Sequence, residues 1–180
     1  MLDRAANAAL MPLLQSVARR LVRAGVGADT VTMIGFVIGI AAAVAIALQS
    51  YGLGLVLLLA SRLADGLAGP VARLTQPTDR GAFLDISLDF LFYASIPLGF
   101  AFANPATNAL PAAVLLAAFV GTGSSFLAFS VLAQKRGLQS AQYPDKGLYY
   151  LGGLTEATET LICFALMCLL PERFGWWAYG

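Results

Sequence analysis

Histidine is missing from this 180-residue chain. With it go the commonest general base and the commonest ligand of transition metals, so acid-base or metal chemistry here must rest on carboxylates. Charge is scarce as well. Asp, Glu, Lys and Arg make up 12% of the residues, the net charge is +1, and no basic stripe is interleaved with aromatics, which excludes nucleic acid as a partner. Cysteine is limited to Cys163 and Cys168, in one apolar run. Their spacing turns them to different sides of a helix, which reads as core filler rather than a disulfide. A cleavable leader is not expected, because Asp3 opens the chain and Arg19, Arg20 and Arg23 follow the first apolar residues instead of preceding them.

What the chain does have is apolar length. Hydrophobic residues account for 59% of it and the mean hydropathy is +0.77, the composition of an integral membrane protein. Leu2, Ala6, Leu10, Leu13, Val17 and Leu21 recur at helical spacing with Arg4, Gln15, Arg19, Arg20 and Arg23 off that stripe. This predicts an amphipathic helix lying on the membrane surface, with a helix docked on a soluble partner as the alternative. Gly25 and Gly27 end it, and Asp29 or Thr30 is placed to cap the next helix. Five spans follow: Val31 to about Leu48, Leu53 to Arg73, Gly81 to Ala103, Ala109 to Leu132 and Leu148 to Leu170, each near the ~20 residues a bilayer needs. The expected fold class is therefore all-α, a polytopic transmembrane bundle behind a surface helix. The expected division is a juxtamembrane helix over 1–26 and one membrane domain over 27–180.

Basic residues set the expected orientation. Arg4, Arg19, Arg20 and Arg23 precede the first span, Arg73 and Arg80 join the second and third, and Lys135, Arg136 and Lys146 join the fourth and fifth. The opposite loops, "QSYG" and "NPATN", contain none, so the N-terminus and the basic loops are expected in the cytoplasm of a bacterial-type inner membrane. The last residues, "PERFGWWAYG", then emerge on the far side with Trp176, Trp177 and Tyr179 suited to an interfacial belt.

Arg62, Asp65, Asp85, Asp89, Glu156 and Glu159 fall inside these spans, where each ionised group costs roughly 2.5 to 3.5 kcal/mol at a helix centre. At ~1.5 Å per residue, Asp65 and Asp89 both lie ~12 Å from the cytoplasmic end of an antiparallel hairpin formed by the second and third spans. Asp85 shares the face of Asp89 one turn nearer the cytoplasm, level with position 68. Three carboxylates converging on one spot repel one another unless a cation lies between them, and Mg²⁺ or Mn²⁺ suits oxygen ligands. The plainer alternative pairs Asp65 with Arg62 and leaves Asp85 and Asp89 protonated or bonded to neighbouring helices. Gly66, Gly69 and Gly81 beside the acids permit either a ligand or a second backbone to approach.

The spacing Asp65, Ala68-Gly69, Ala72-Arg73, Gly81, Asp85, Asp89 resembles the signature of the CDP-alcohol phosphatidyltransferases, over twenty-five residues. That signature reads Asp, two residues, Asp-Gly, two residues, Ala-Arg, a gap, Gly, three residues, Asp, three residues, Asp. Here its second aspartate is Ala68. "GADTVT" is a weaker echo of the family's Pro-Asn-x-x-Thr, keeping only Thr32.

The resemblance implies transfer of a substituted phosphate from a CDP-alcohol, usually CDP-diacylglycerol, to the hydroxyl of a small alcohol, with release of CMP. It implies a site with two divalent cations bridging the donor's diphosphate to Asp65, Asp85 and Asp89. Asp89 would also accept the acceptor's proton. Thr32, Gly69, Ala72, Arg73 and Gly81 would bind the donor, although Arg73 equally suits a membrane anchor at a helix end. Arg80, Lys135, Arg136 and Lys146 would meet an anionic acceptor, or simply serve topology and anionic lipid. Glu156 and Glu159 would line an acceptor pocket, pair with Arg62 or bond between helices.

Two departures qualify this. Ala68 offers no ligand, which leaves an active enzyme with lower metal affinity, a silenced relative, or a loss-of-function variant. Family members have six membrane helices and often form homodimers, whereas here the expectation is five spans and a missing last helix. Rival readings are an ion-coupled transporter, which also places acids at intermediate depth, and a non-catalytic lipid-binding or scaffold protein.

Overall fold

The computed structural model describes residues 2–136 and 157–179, and among these the protein is helical between short connections. Helix α1 (Leu2–Arg23) is the expected N-terminal helix. It closes with the Gly25 and Val26 amides donating to the Val22 and Leu21 carbonyls. Gly25 adopts a φ of 78° there, a left-handed conformation that glycine takes without a Cβ clash.

Four membrane-length helices follow: α2 (Ala28–Ala47), α3 (Tyr51–Leu74), α4 (Asp79–Ala103) and α5 (Pro105–Lys135). They match the first four expected spans to within a few residues at either end. Gly27, not Asp29 or Thr30, is the N-cap of α2, with no side-chain capping bond. The start of the fifth expected span lies outside the described residues. Its remainder is α6 (Ala157–Leu169), followed by a 3₁₀ turn (Pro171–Arg173) and α7 (Phe174–Tyr179). The segment Pro171–Tyr179 bends 117° from α6, so α6 and α7 form a fifth span only as a broken pair.

That bend corrects one expectation. Trp177 does not stand in an outer belt. It packs against the main core beside Phe174, whose ring stacks 4.7 Å from that of Phe100. Trp176 and Tyr179 do point outward.

Helix α2 is the centre of the bundle, packing against both α3 and α4, whereas α3 and α4 make no extensive backbone contact with each other. The second and third spans are thus not the tightly packed hairpin that their sequence order suggested. Small residues explain the central place of α2, since in a membrane helices associate by close packing rather than by expelling water. A Cβ on Gly35 would come within 3.2 Å of Ala64 Cβ, and one on Gly39 within 2.5 Å of the Phe92 ring. One on Gly99 of α4 would meet the Ala43 carbonyl oxygen at 2.6 Å.

At the far end the elements are tied by side chains. Gln49, in the left-handed region at φ 61°, donates from Nε2 to the Ala103 carbonyl at 2.8 Å. Asn108 donates to the Phe100 carbonyl at 3.0 Å. The first satisfies a carbonyl in the last turn of α4, and the second adds to the bond that the Phe100 carbonyl accepts from the Asn104 amide.

Candidate active site

The acids of α3 and α4 meet at Arg62. Its Nη1 lies 2.5 Å from Asp89 Oδ1 across the gap between the helices. The same nitrogen lies 3.6 Å from Asp65 Oδ2, one turn along α3. Arg62 is 11% exposed, while Asp65 and Asp89 are 34% and 39% exposed, so a buried cation faces two carboxylates that open toward solvent. Asp85 is exposed one turn before Asp89.

The guanidinium is held on its other faces as well. Its carbon sits 3.7 Å over the centre of the Phe92 ring and 5.7 Å from that of Tyr93, a geometry in which ring quadrupoles attract a cation. Its Nη2 donates to Ser61 Oγ at 3.4 Å. Ser61, fully buried, donates in turn to the Gly35 carbonyl of α2 at 2.8 Å. A chain of contacts therefore runs from the α2 backbone through Ser61 to Arg62 and on to Asp89.

Position 68 faces elsewhere. Ala68 is 4% exposed in an apolar seam with Ala18 of α1, Val31 of α2 and Val71. Leu14 of α1 also reaches α3, within 3.6 Å of where a Gly66 Cβ would stand. The apolar stripe of α1 therefore docks partly on this chain itself. A carboxylate at position 68 would enter that seam.

The remaining expected site residues are spread over the same end of the bundle. Gly69 is exposed, and Arg73 folds back so that its Nη1 lies 3.4 Å from where a Gly69 Cβ would be. Ala72 is half-buried on the same helix, and Thr32 is buried in α2. Gly81 opens α4, its amide donating to Thr78 Oγ1 at 3.0 Å as an N-cap bond. The space beside Gly81 holds Asp29, whose Oδ1 would lie 3.2 Å from a Cβ there.

Asp29 Oδ2 in turn lies 3.4 Å from Nε of Arg80, an outward-facing residue. Lys135 and Arg136 are exposed at the end of α5. Glu159 lies in the first turn of α6. Lys146 and Glu156 lie outside the described residues.

The donor set consists of carboxylate oxygens, which suit Mg²⁺ or Mn²⁺. Among the described residues, however, no three acidic, thiol or imidazole side chains stand close enough together to hold a metal ion as placed. Arg62 engages two of the three aspartates, and position 68 is sealed. The described residues as placed therefore offer the oxygen chemistry such a cation needs without an assembled site for it.

Sequence reasoning treated Arg62 as a possible partner of Asp65 or of Glu156 and Glu159, not of Asp89, and missed Ser61, Phe92 and the glycines of α2 altogether. The Gly35-x-x-x-Gly39 spacing on an apolar span was the legible signal, since it marks a close helix contact. Phe92 carried none, because an aromatic residue in an apolar run looks like any other.

Comparison with known proteins agrees with this architecture. The family model described as CDP-alcohol phosphatidyltransferase matches residues 26–179. The chain is 51% identical over 175 residues to the inner membrane protein YnjF of Escherichia coli (strain K12), covering 97% of this chain and 85% of that one. Its fold is similar to that of Mycobacterium tuberculosis phosphatidylinositol phosphate synthase (PgsA1) crystallised with manganese and citrate, with a TM-score of 0.71 and 20% identity over 92% of this chain and 80% of that one. The same synthase with CDP-DAG bound matches with a TM-score of 0.66 and 21% identity, over 93% of this chain and 85% of that one.

Proposed function

The chain belongs to the CDP-alcohol phosphatidyltransferase family, and from that premise we propose that it moves a substituted phosphate from a CDP-alcohol such as CDP-diacylglycerol to a small alcohol, releasing CMP. The observation that carries this reading is the meeting of Asp65 from α3 and Asp89 from α4 at one guanidinium nitrogen. Gly69 and Arg73 follow Asp65 along α3 and Gly81 precedes Asp89 along α4, so these signature residues lie on the side of that meeting point toward the α3–α4 connection. The solved synthase with CDP-DAG bound supports the donor class.

In this reading the diphosphate of the donor lies between α3 and α4, with Arg73 on its phosphates, Gly69, Ala72 and Gly81 beside the cytidine, and Thr32 beneath. Asp89 has one oxygen fixed by Arg62 and presents the other to the acceptor hydroxyl. It takes the proton as the acceptor oxygen bonds to the phosphorus that carries the lipid alcohol. The bond from that phosphorus to CMP breaks, and CMP leaves with the electron pair. A divalent cation, Mg²⁺ or Mn²⁺, held by Asp85 with Asp65 and Asp89, would supply positive charge to the phosphate oxygens. Arg80, Lys135 and Arg136 are the groups available to an anionic acceptor. The basic residues at this end of the bundle favour the cytoplasmic side for it.

The test is CMP release by purified protein given CDP-diacylglycerol, Mg²⁺ or Mn²⁺ and a panel of polyol and polyol-phosphate acceptors, beside Asp89→Asn. Release with at least one acceptor, lost in Asp89→Asn, is expected. A folded protein that releases no CMP with any acceptor would overturn the transferase reading and leave the non-catalytic lipid-binding one.

A further inference from the structure

We propose that Arg62 is a built-in cation which takes the place of one of the two divalent ions that the family signature implies, so that the site accepts a single Mg²⁺ or Mn²⁺. The inference deepens the transferase reading above and rests on it.

Two features of this chain act in the same direction. The signature's second aspartate is Ala68, which removes one negative charge from the site. Arg62, outside the signature, adds one positive charge at the point where the acids converge. Together they move the fixed charge by two units, the charge of one divalent ion. A second ion would lack a carboxylate at position 68 and would be opposed by the like charge of the guanidinium.

Arg62 is also built to stay. A side chain that merely visited the site would be long, exposed and free to swing away. This one is buried, stacked on Phe92 and hydrogen-bonded to a serine that is itself tied to the α2 backbone. Its Nε is buried with no hydrogen-bond partner. Leaving that donor unmatched is unfavourable, and the offsetting gain is the ring contact together with the two carboxylates on Nη1. An arginine pinned in this way is a point of fixed positive charge, as a bound ion would be, and it does not depend on the supply of metal. The seam of Ala18, Val31, Ala68 and Val71 closes the other side, so apolar packing rather than a ligand occupies the position of the absent aspartate.

Counting Mn²⁺ bound to the detergent-solubilised protein, by electron paramagnetic resonance of the free ion and by calorimetry, tests this without turnover. One Mn²⁺ per wild-type chain is expected. Arg62→Gln should bind a second Mn²⁺ or bind the first at least about tenfold more tightly, because a repelling charge is gone. Arg62→Lys, which keeps the charge but loses the planar stacking, should keep the count at one and serves as the reference if Arg62→Gln unfolds. Two ions per wild-type chain, none, or an Arg62→Gln variant that folds and binds Mn²⁺ as the wild type does would overturn the proposal. CMP release measured on the same samples separates the two readings: release with two bound ions sinks the built-in cation alone, and no release with one bound ion sinks the transferase reading alone.

Discussion

Nη1 of Arg62 on α3 and Oδ1 of Asp89 on α4 stand 2.5 Å apart, joining two helices that otherwise make little backbone contact. The pair has a mechanical and a chemical side. It ties α4 to α3 at the level of the site, and it orients the carboxylate proposed to take the acceptor's proton. Asp89→Asn keeps the size of the side chain and removes its basicity. CMP release should fall by about 10²–10⁴-fold, with a thermal midpoint changed far less, and the two measurements together separate chemistry from folding.

Restoring the signature at position 68 is expected to fail on its own. Ala68→Asp places a carboxylate in the seam between α1 and α3, where burial without a partner costs roughly 1–3 kcal/mol or more. The variant should unfold at a lower temperature and release no more CMP than the wild type. Adding Arg62→Gln to it should not restore stability, with or without Mn²⁺, because position 68 is turned into the seam and away from the site. Thermal unfolding with and without Mn²⁺ is the measurement, and a fully active single variant would show that the seam opens freely.

Gly99→Ala drives a methyl group to within 2.6 Å of the Ala43 carbonyl oxygen, a backbone atom that cannot turn aside. A loss of about 1–3 kcal/mol is expected. Gly121→Ala, with nothing within 4 Å of the new Cβ, should be neutral or slightly stabilising. Gly39→Ala should be both destabilising and inactivating, because its Cβ meets the Phe92 ring that carries Arg62 and the Ser61 hydroxyl that steadies it.

Arg80 pairs with Asp29 at an exposed surface, so Arg80→Gln should change stability by less than about 1 kcal/mol. If Arg80 meets an anionic acceptor, the same variant raises KM for that acceptor severalfold and leaves KM for the CDP-alcohol nearly unchanged. Steady-state kinetics with both substrates varied decides it, and equal shifts in the two KM values would remove Arg80 from the acceptor side.

Cys163 and Cys168 are both free thiols. Denatured protein should react with two equivalents of a thiol reagent whether or not it was first reduced. In the folded state Cys168, buried in the main core, should label more slowly than Cys163.

Much of this was legible along the chain. The number and limits of α2 to α5 follow from apolar length and from the loops "QSYG" and "NPATN", because a bilayer leaves a span few choices of length or backbone conformation. The convergence of Asp65 and Asp89 followed from helical rise alone, and their shared guanidinium agrees with it. Helix-end detail was less legible: Gly27 caps α2 although Asp29 and Thr30 are better capping residues, since Asp29 is drawn toward Arg80 and Gly81 on α4.

The sequence by itself determined a membrane bundle and the level at which its acids lie, since hydropathy, charge placement and rise per residue are properties of each segment alone. Only the tertiary structure decided that α2 stands between α3 and α4, that Ala68 is turned into the seam under α1, and that Trp177 folds back on the core. Those outcomes depend on which surfaces approach closely enough to pack, and that is a property of pairs of helices. Arg62 shows the difference most plainly: in the chain it is one basic residue in an apolar run, and in the fold it becomes the cation around which the acids of two helices gather.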